Sequence, residues 1–162
     1  MDLNSQLVDT LKGLLTELSV GPPGREAYVL NPGDRGLLES LRALTAAQAS
    51  ARPQGRSSIA SHVHHLYYGF TLMNRWSRGE DPFNDANWGE SWKRQQVTDA
   101  EWSRLLADLG NEVRGWREAI GSRDWDPAVM SGTIGSIAHL AYHVGAIRQI
   151  STNARGPAEG ET

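Results

Sequence analysis

The chain has 162 residues, 39% of them hydrophobic, a formal charge of −3 and no cysteine. That length and apolar share suit one domain around a single core, and the absent cysteines exclude disulfides, thiolate metal ligands and a cysteine nucleophile. The weak negative charge, with no basic run against it, argues against a nucleic-acid-binding surface.

The start, Met1-Asp2-Leu3-Asn4, has neither the basic residues nor the apolar run of a signal peptide. The longest apolar stretch, about residues 134–147, is shorter than the ~20 residues a membrane-spanning helix needs. The expected protein is therefore soluble and cytoplasmic, with no membrane partner.

From Asp2 to about Ser19, Leu3, Leu7, Leu11, Leu14, Leu15 and Leu18 recur at helical spacing, which predicts a first amphipathic helix. Gly21-Pro22-Pro23-Gly24 stops it, and a loop follows to Gly33. Leu37, Leu38, Leu41 and Leu44 predict a shorter helix closed by Arg52-Pro53-Gln54-Gly55. Ser57 or Ser58 can cap the next helix, whose stripe of Ile59, Val63, Leu66, Phe70 and Met73 runs to Trp76 before Gly79.

Residues 79–97 show no sustained period and read as a long connection with Trp88 and Trp92 as aromatic anchors or a lid. A connection of that length can cross a bundle from end to end and leave its flanking helices parallel. Thr98-Asp99-Ala100-Glu101 is a capping-box pattern. Trp102, Leu105, Leu109, Val113 and Trp116 continue a helix from it. Gly121 to Ser131 reads as a loop, Gly132-Thr133 opens a last helix to Ile150, and residues 153–162 read as a frayed polar tail. The fold class is all-α, one domain over 1–162.

The last helix carries His139 and His143 one turn apart, so both imidazoles share a face. The other three of the five histidines, His62, His64 and His65, sit together in the earlier apolar helix. His62 is in register with Ile59, Leu66 and Phe70; His65 lies at the edge of that stripe, where a small change of helix phase would bring it into the same site, and His64 points away. Neutral imidazole is a common ligand for zinc, nickel and iron. His62, His139 and His143 are accordingly the expected ligands of a divalent ion, zinc or nickel first, with manganese or iron as alternatives. Three protein ligands leave a position open, the arrangement of a catalytic site. Tyr67, Tyr142, Asn74 and Arg148 are candidates to hydrogen-bond the ligands. The plainer alternative makes His139 and His143 core residues bonded to carbonyls or buried water.

These residues also resemble a family. The helix Ser57-Ser58-Ile59-Ala60-Ser61-His62-Val63-His64-His65-Leu66, the run Asn74-Arg75-Trp76-Ser77-Arg78-Gly79-Glu80, and His139-Leu140-Ala141-Tyr142-His143-Val144-Gly145-Ala146-Ile147 resemble the DinB/YfiT-like superfamily of metal-dependent enzymes. The resemblance implies a four-helix bundle of up-down-down-up topology, to which the leucine spacing at 37–44 adds a short helix between the first two main helices. It also implies that the family's first ligand falls on His62 and its last two on His139 and His143. Many members continue after the final histidine with Arg-Gly-Gln, where this chain has Val144-Gly145-Ala146. Some relatives transfer a low-molecular-weight thiol of the bacillithiol or mycothiol type, so the resemblance implies either hydrolysis or thiol transfer on a small-molecule substrate.

No side chain is assigned a catalytic role. Asp124, Asp126, Glu80 and Asp81 fall in loops and read as solvated or capping residues. Ser57 and Ser58 lack the partners of a hydrolase triad. Trp76, Trp102 and Trp116 follow helical stripes and read as core. The alternative function is a non-catalytic metal- or small-molecule-binding stress-response bundle with structural histidines. Homodimerisation through an apolar helix face is compatible with the pattern, though no stripe demands it.

Overall fold

The computed structural model describes residues 2–53 and 55–151, so the tail expected at 153–162 lies outside the described residues. Among them the chain forms seven helices and no strand. No helix is long and apolar enough to cross a membrane.

α1 (Leu3–Ser19) starts where the Asp2 carboxylate accepts the Ser5 N–H at 2.9 Å, satisfying one of the donors a helix start leaves unpaired. The loop after it is organised by a buried carboxylate. Glu17 accepts the backbone N–H groups of Tyr28, Val29 and Leu30 at 2.7–3.1 Å. At its far end Gly36 donates to Val20 O at 3.1 Å. A Cβ on Gly36 would lie 2.2 Å from the Val20 carbonyl carbon, so only glycine permits the approach.

The leucine-rich segment expected as one short helix is two, α2 (Leu37–Arg42) and α3 (Ala46–Ser50). The division falls at Thr45, whose hydroxyl accepts the Gln48 N–H while Gln48 accepts the Thr45 N–H. This reciprocal cap starts a new helix. Trp102 Nε1 donates to Leu44 O at 3.0 Å and ties the corner to a later helix.

α4 (Ile59–Ser77) is capped by Ser58 and ends before Gly79, whose φ is +88°. The long connection contains a single turn, α5 (Trp88–Ser91), capped by Asn87. α6 (Asp99–Ala119) begins with the expected capping box of Thr98 and Glu101. α7 (Pro127–Ile150) starts well before the expected Gly132. Asp126 accepts the Ala128 and Val129 N–H groups, both at 2.8 Å. Pro127 occupies the first helical position, where a missing N–H costs nothing.

α4 packs most closely against α6 and also against α7, while α1 lies against α7 and α6. Their facing stripes share one core, in which Leu15, Leu18, Ile59, Val63, Leu109 and Leu140 have no exposure. Each such side chain contributes roughly 1.5–3 kcal/mol by leaving water. The α4–α7 contact is the one that brings the two histidine-bearing segments together.

Candidate metal centre

α4 presents His62 and His65 three residues apart on its buried side, 8% and 6% exposed. α7 presents His139, half-buried, and His143, 1% exposed. One ring nitrogen each from His65, His139 and His143 lie within 4.8 Å of one another. The closest approaches are His65 Nε2 to His139 Nε2, 3.2 Å, and His143 Nε2 to His139 Nε2, 3.0 Å.

A tetrahedral ion with metal–nitrogen bonds of about 2.0–2.1 Å holds its ligand nitrogens about 3.3 Å apart. The observed separations are close to that. Each nitrogen of a neutral imidazole carries either a proton or a lone pair, so a protonated His139 Nε2 points its N–H at one neighbour only, and an unprotonated one sets lone pair against lone pair with any unprotonated neighbour. A cation resolves that conflict, and the donor set is one that zinc, nickel or iron accepts.

In His65 and His143 the other ring nitrogen also has a partner. Ser91 Oγ donates to Trp88 O at 2.6 Å, so the same oxygen accepts from His65 Nδ1, also at 2.6 Å. With its proton on Nδ1, His65 keeps the Nε2 lone pair for the centre. His143 Nδ1 lies 2.8 Å from His62 Nδ1. For His143 Nε2 to be a ligand, its Nδ1–H must donate to His62, which places His62 behind the trio as the acceptor that orients a ligand.

The histidines are held neutral. Burial pushes His143 down to about 3, with the nearby His139, His62 and His65 rings acting in the same direction. Burial likewise takes His65 to about 4, assisted by His139, His62 and His64. His62 and His139 are also lowered by burial. Neutral rings have the lone pairs a cation needs.

His139 and His143 thus stand in the converging group, as does His65, at the position where sequence analysis placed His62. His64 turns away and donates through Nδ1 to Ser91 O at 2.7 Å, fastening α5. Of the residues considered as hydrogen-bond partners of the ligands, Asn74 donates to Glu112, and Arg148 donates to Asp34 at 2.8 Å. Tyr142 meets His143 edge to face at 5.1 Å and is 69% exposed. The residues that do support the trio are Ser91 and His62. The signal for His65 was its i, i+3 spacing from His62, which puts both on one face of α4; Ser91 had no signal in its own segment.

The connection covers the site. Trp92 stacks on His65 with ring centres 4.2 Å apart and meets His62 edge-on at 5.0 Å. Trp88 stands 5.4 Å from the His65 ring and lines a cavity of about 420 Å³ that reaches His65 and His139. A second cavity, about 340 Å³, lies on the His62 side beside Trp92 and Arg56.

Fold and site together define an all-helical protein with a histidine group close enough to bind a metal ion. No family model, curated protein or solved structure matches the chain.

Proposed function

We propose that the protein is a metal-dependent enzyme in which His65, His139 and His143 hold a divalent ion, zinc or nickel, with His62 orienting His143. The observation that carries this reading is the convergence of the three imidazoles, two of which, His65 and His139, line a cavity large enough for a small molecule. The proposal extends to the four-helix DinB/YfiT-like architecture and to that superfamily's two chemistries, hydrolysis or transfer of a low-molecular-weight thiol.

A divalent ion at such a site supplies Lewis acidity, acidifying a water or thiol and polarising an electrophilic substrate. The chain's own residues do the rest. Ser91 holds the His65 proton on Nδ1, and His62 accepts the His143 Nδ1 proton, so both ligands keep Nε2 lone pairs. Trp92 excludes water from the buried face of His65. The side of His65 and His139 that borders the cavity is where substrate meets the centre.

Metal analysis of the purified protein, with zinc and nickel titrations of the metal-free form, tests this directly. One equivalent is expected, with a rise in thermal midpoint and loss of binding in His143→Ala. A protein that takes up no stoichiometric metal and gains no stability from zinc, nickel or manganese sinks the proposal. Activity screens should then compare ester and amide hydrolysis with conjugation of electrophiles to thiols. Metal uptake without either activity favours the non-catalytic binding bundle.

A further inference from the structure

We propose that the cavity beside His65 and His139 is a chamber for the neutral aromatic body of a small ligand, one or two fused rings in size. The chamber rests on the metal-enzyme reading only for what the ligand's polar head would meet; the walls argue for themselves. A volume of about 420 Å³ lies toward the small end of the ~300–1,000 Å³ typical of small-molecule sites.

No charged side chain lines the cavity among the described residues, and Phe70, Phe83, Met73 and Trp88 supply much of its surface. Its one hydroxyl is engaged: Ser136 Oγ donates to Thr133 O at 2.7 Å and accepts from Trp116 Nε1 at 2.9 Å. An anionic or zwitterionic body would lose its hydration there without a counterion. An aromatic ring loses little and gains stacking and sulfur contacts.

Two of the three glycines on the walls point the same way; the third, Gly132, is required by packing, since a Cβ there would lie 2.9 Å from the Trp76 ring. Gly69 lies inside α4 and Gly135 inside α7, where glycine is less stable than alanine. Packing does not require either. A Cβ on Gly69 would meet Trp88 at 3.7 Å and His139 Cε1 at 3.8 Å, both ordinary contacts, and one on Gly135 would meet nothing within 4 Å. What the bare Gly69 does preserve is the stretch of cavity wall beside Trp88 and His139, where a methyl group would take up room among the lining side chains. Helix stability is given up where it keeps that wall bare, a trade typical of functional sites.

The test is an amide-resolved NMR titration of the full chain with indole, and with indole-2-carboxylate as its anionic counterpart, in zinc-free and zinc-loaded protein. Indole is expected to shift the Gly69 and Gly135 amides saturably in both forms, and the carboxylate to bind more weakly to the zinc-free form. Gly69→Ala should raise the thermal midpoint yet weaken indole binding by about 10-fold, the scale of one misplaced methyl group in an apolar pocket. Gly135→Leu should weaken it at least as much, with zinc uptake unchanged in both variants. Indole that shifts neither amide, or that binds both glycine variants as it binds the parent, overturns the proposal. Equal binding of the carboxylate to zinc-free protein overturns it too. Indole binding by protein that takes up no zinc upholds the chamber and removes the metal reading, so the two fail separately.

Discussion

His143 Nδ1 lies 2.8 Å from His62 Nδ1, while the opposite nitrogen of the same ring, Nε2, lies 3.0 Å from His139 Nε2. One imidazole therefore joins two different roles on α4 and α7. With His62 as acceptor behind His143, His62→Ala should weaken zinc binding by about 10–100-fold while leaving one equivalent bound. Loss of His65, His139 or His143 should remove stoichiometric binding. Competition against a fluorescent chelator separates the cases, and a His62→Ala protein as metal-free as His139→Ala would make His62 a ligand instead.

Ser91 and His64 allow a second comparison. Ser91 Oγ accepts from His65, whereas Ser91 O accepts from His64. Ser91→Ala keeps the backbone anchor and removes only the group that sets the His65 proton. Its zinc affinity should fall by about 10–100-fold with little change in unfolding midpoint. His64→Ala should do the reverse, costing about 1 kcal/mol of stability with metal affinity nearly intact. Equal metal affinities in Ser91→Ala and the parent would remove Ser91 from the site.

Acid should destabilise the metal-free protein. His143 and His65 titrate near 3 and 4 when folded, against an ordinary 6.5 when unfolded. Below pH 6.5, down to about 4 for His65 and about 3 for His143, the unfolded chain binds protons that the folded chain refuses, so stability falls as pH falls through that window and these two groups add no slope above it. Thermal midpoints from pH 8 to pH 4.5 check this. The slope should be shallower in a His65→Gln/His143→Gln double variant, and an equal slope would place the acid sensitivity elsewhere.

How much of this was legible in the sequence depends on the range over which each feature is encoded. The capping box of Thr98 and Glu101 is local, and α6 starts where it predicts. The start of α7 is also encoded locally, in Asp126-Pro127, but an Asp-Pro pair suits a loop equally well, which is the expectation for 121–131. The division at Thr45 was masked because Leu44 continues the leucine spacing across it. That His65 is the α4 histidine whose ring nitrogen lies within 4.8 Å of those of His139 and His143 is not encoded locally at all. Both His62 and His65 share a face of α4, and the contact that His65 makes with Ser91 comes from 26 residues further along the chain, on α5.

Glu17 provides a test of the loop that follows α1. Its side chain is buried, yet its carboxylate accepts three successive backbone N–H groups, from Tyr28, Val29 and Leu30. Glu17→Gln keeps the shape but removes the charge that strengthens those bonds, and should cost about 2–3 kcal/mol. Urea unfolding should show a lower midpoint at unchanged slope, together with faster proteolysis within 25–30. An unchanged midpoint would mean that water satisfies those groups equally well.

Gly36 and Gly13 should respond oppositely to the same substitution. At Gly36 an added Cβ would fall 2.2 Å from the Val20 carbonyl carbon and 2.4 Å from the Gly21 nitrogen, and both are backbone atoms that cannot swing aside. Gly36→Ala must therefore push the end of the loop away from α1 and strain the Gly36 N–H···O bond to Val20. A cost of about 1–3 kcal/mol or more is expected, the range for overpacking. At Gly13, inside α1, a Cβ meets nothing within 4 Å, so alanine only restricts the unfolded chain and favours the helix, a gain of about 0.5–1 kcal/mol. Opposite shifts in thermal midpoint are the expected result. Destabilisation by both would mean that the α1 surface around Gly13 is not free, and tolerance of Gly36→Ala would mean that the loop does not close on Val20 as tightly as the structure has it.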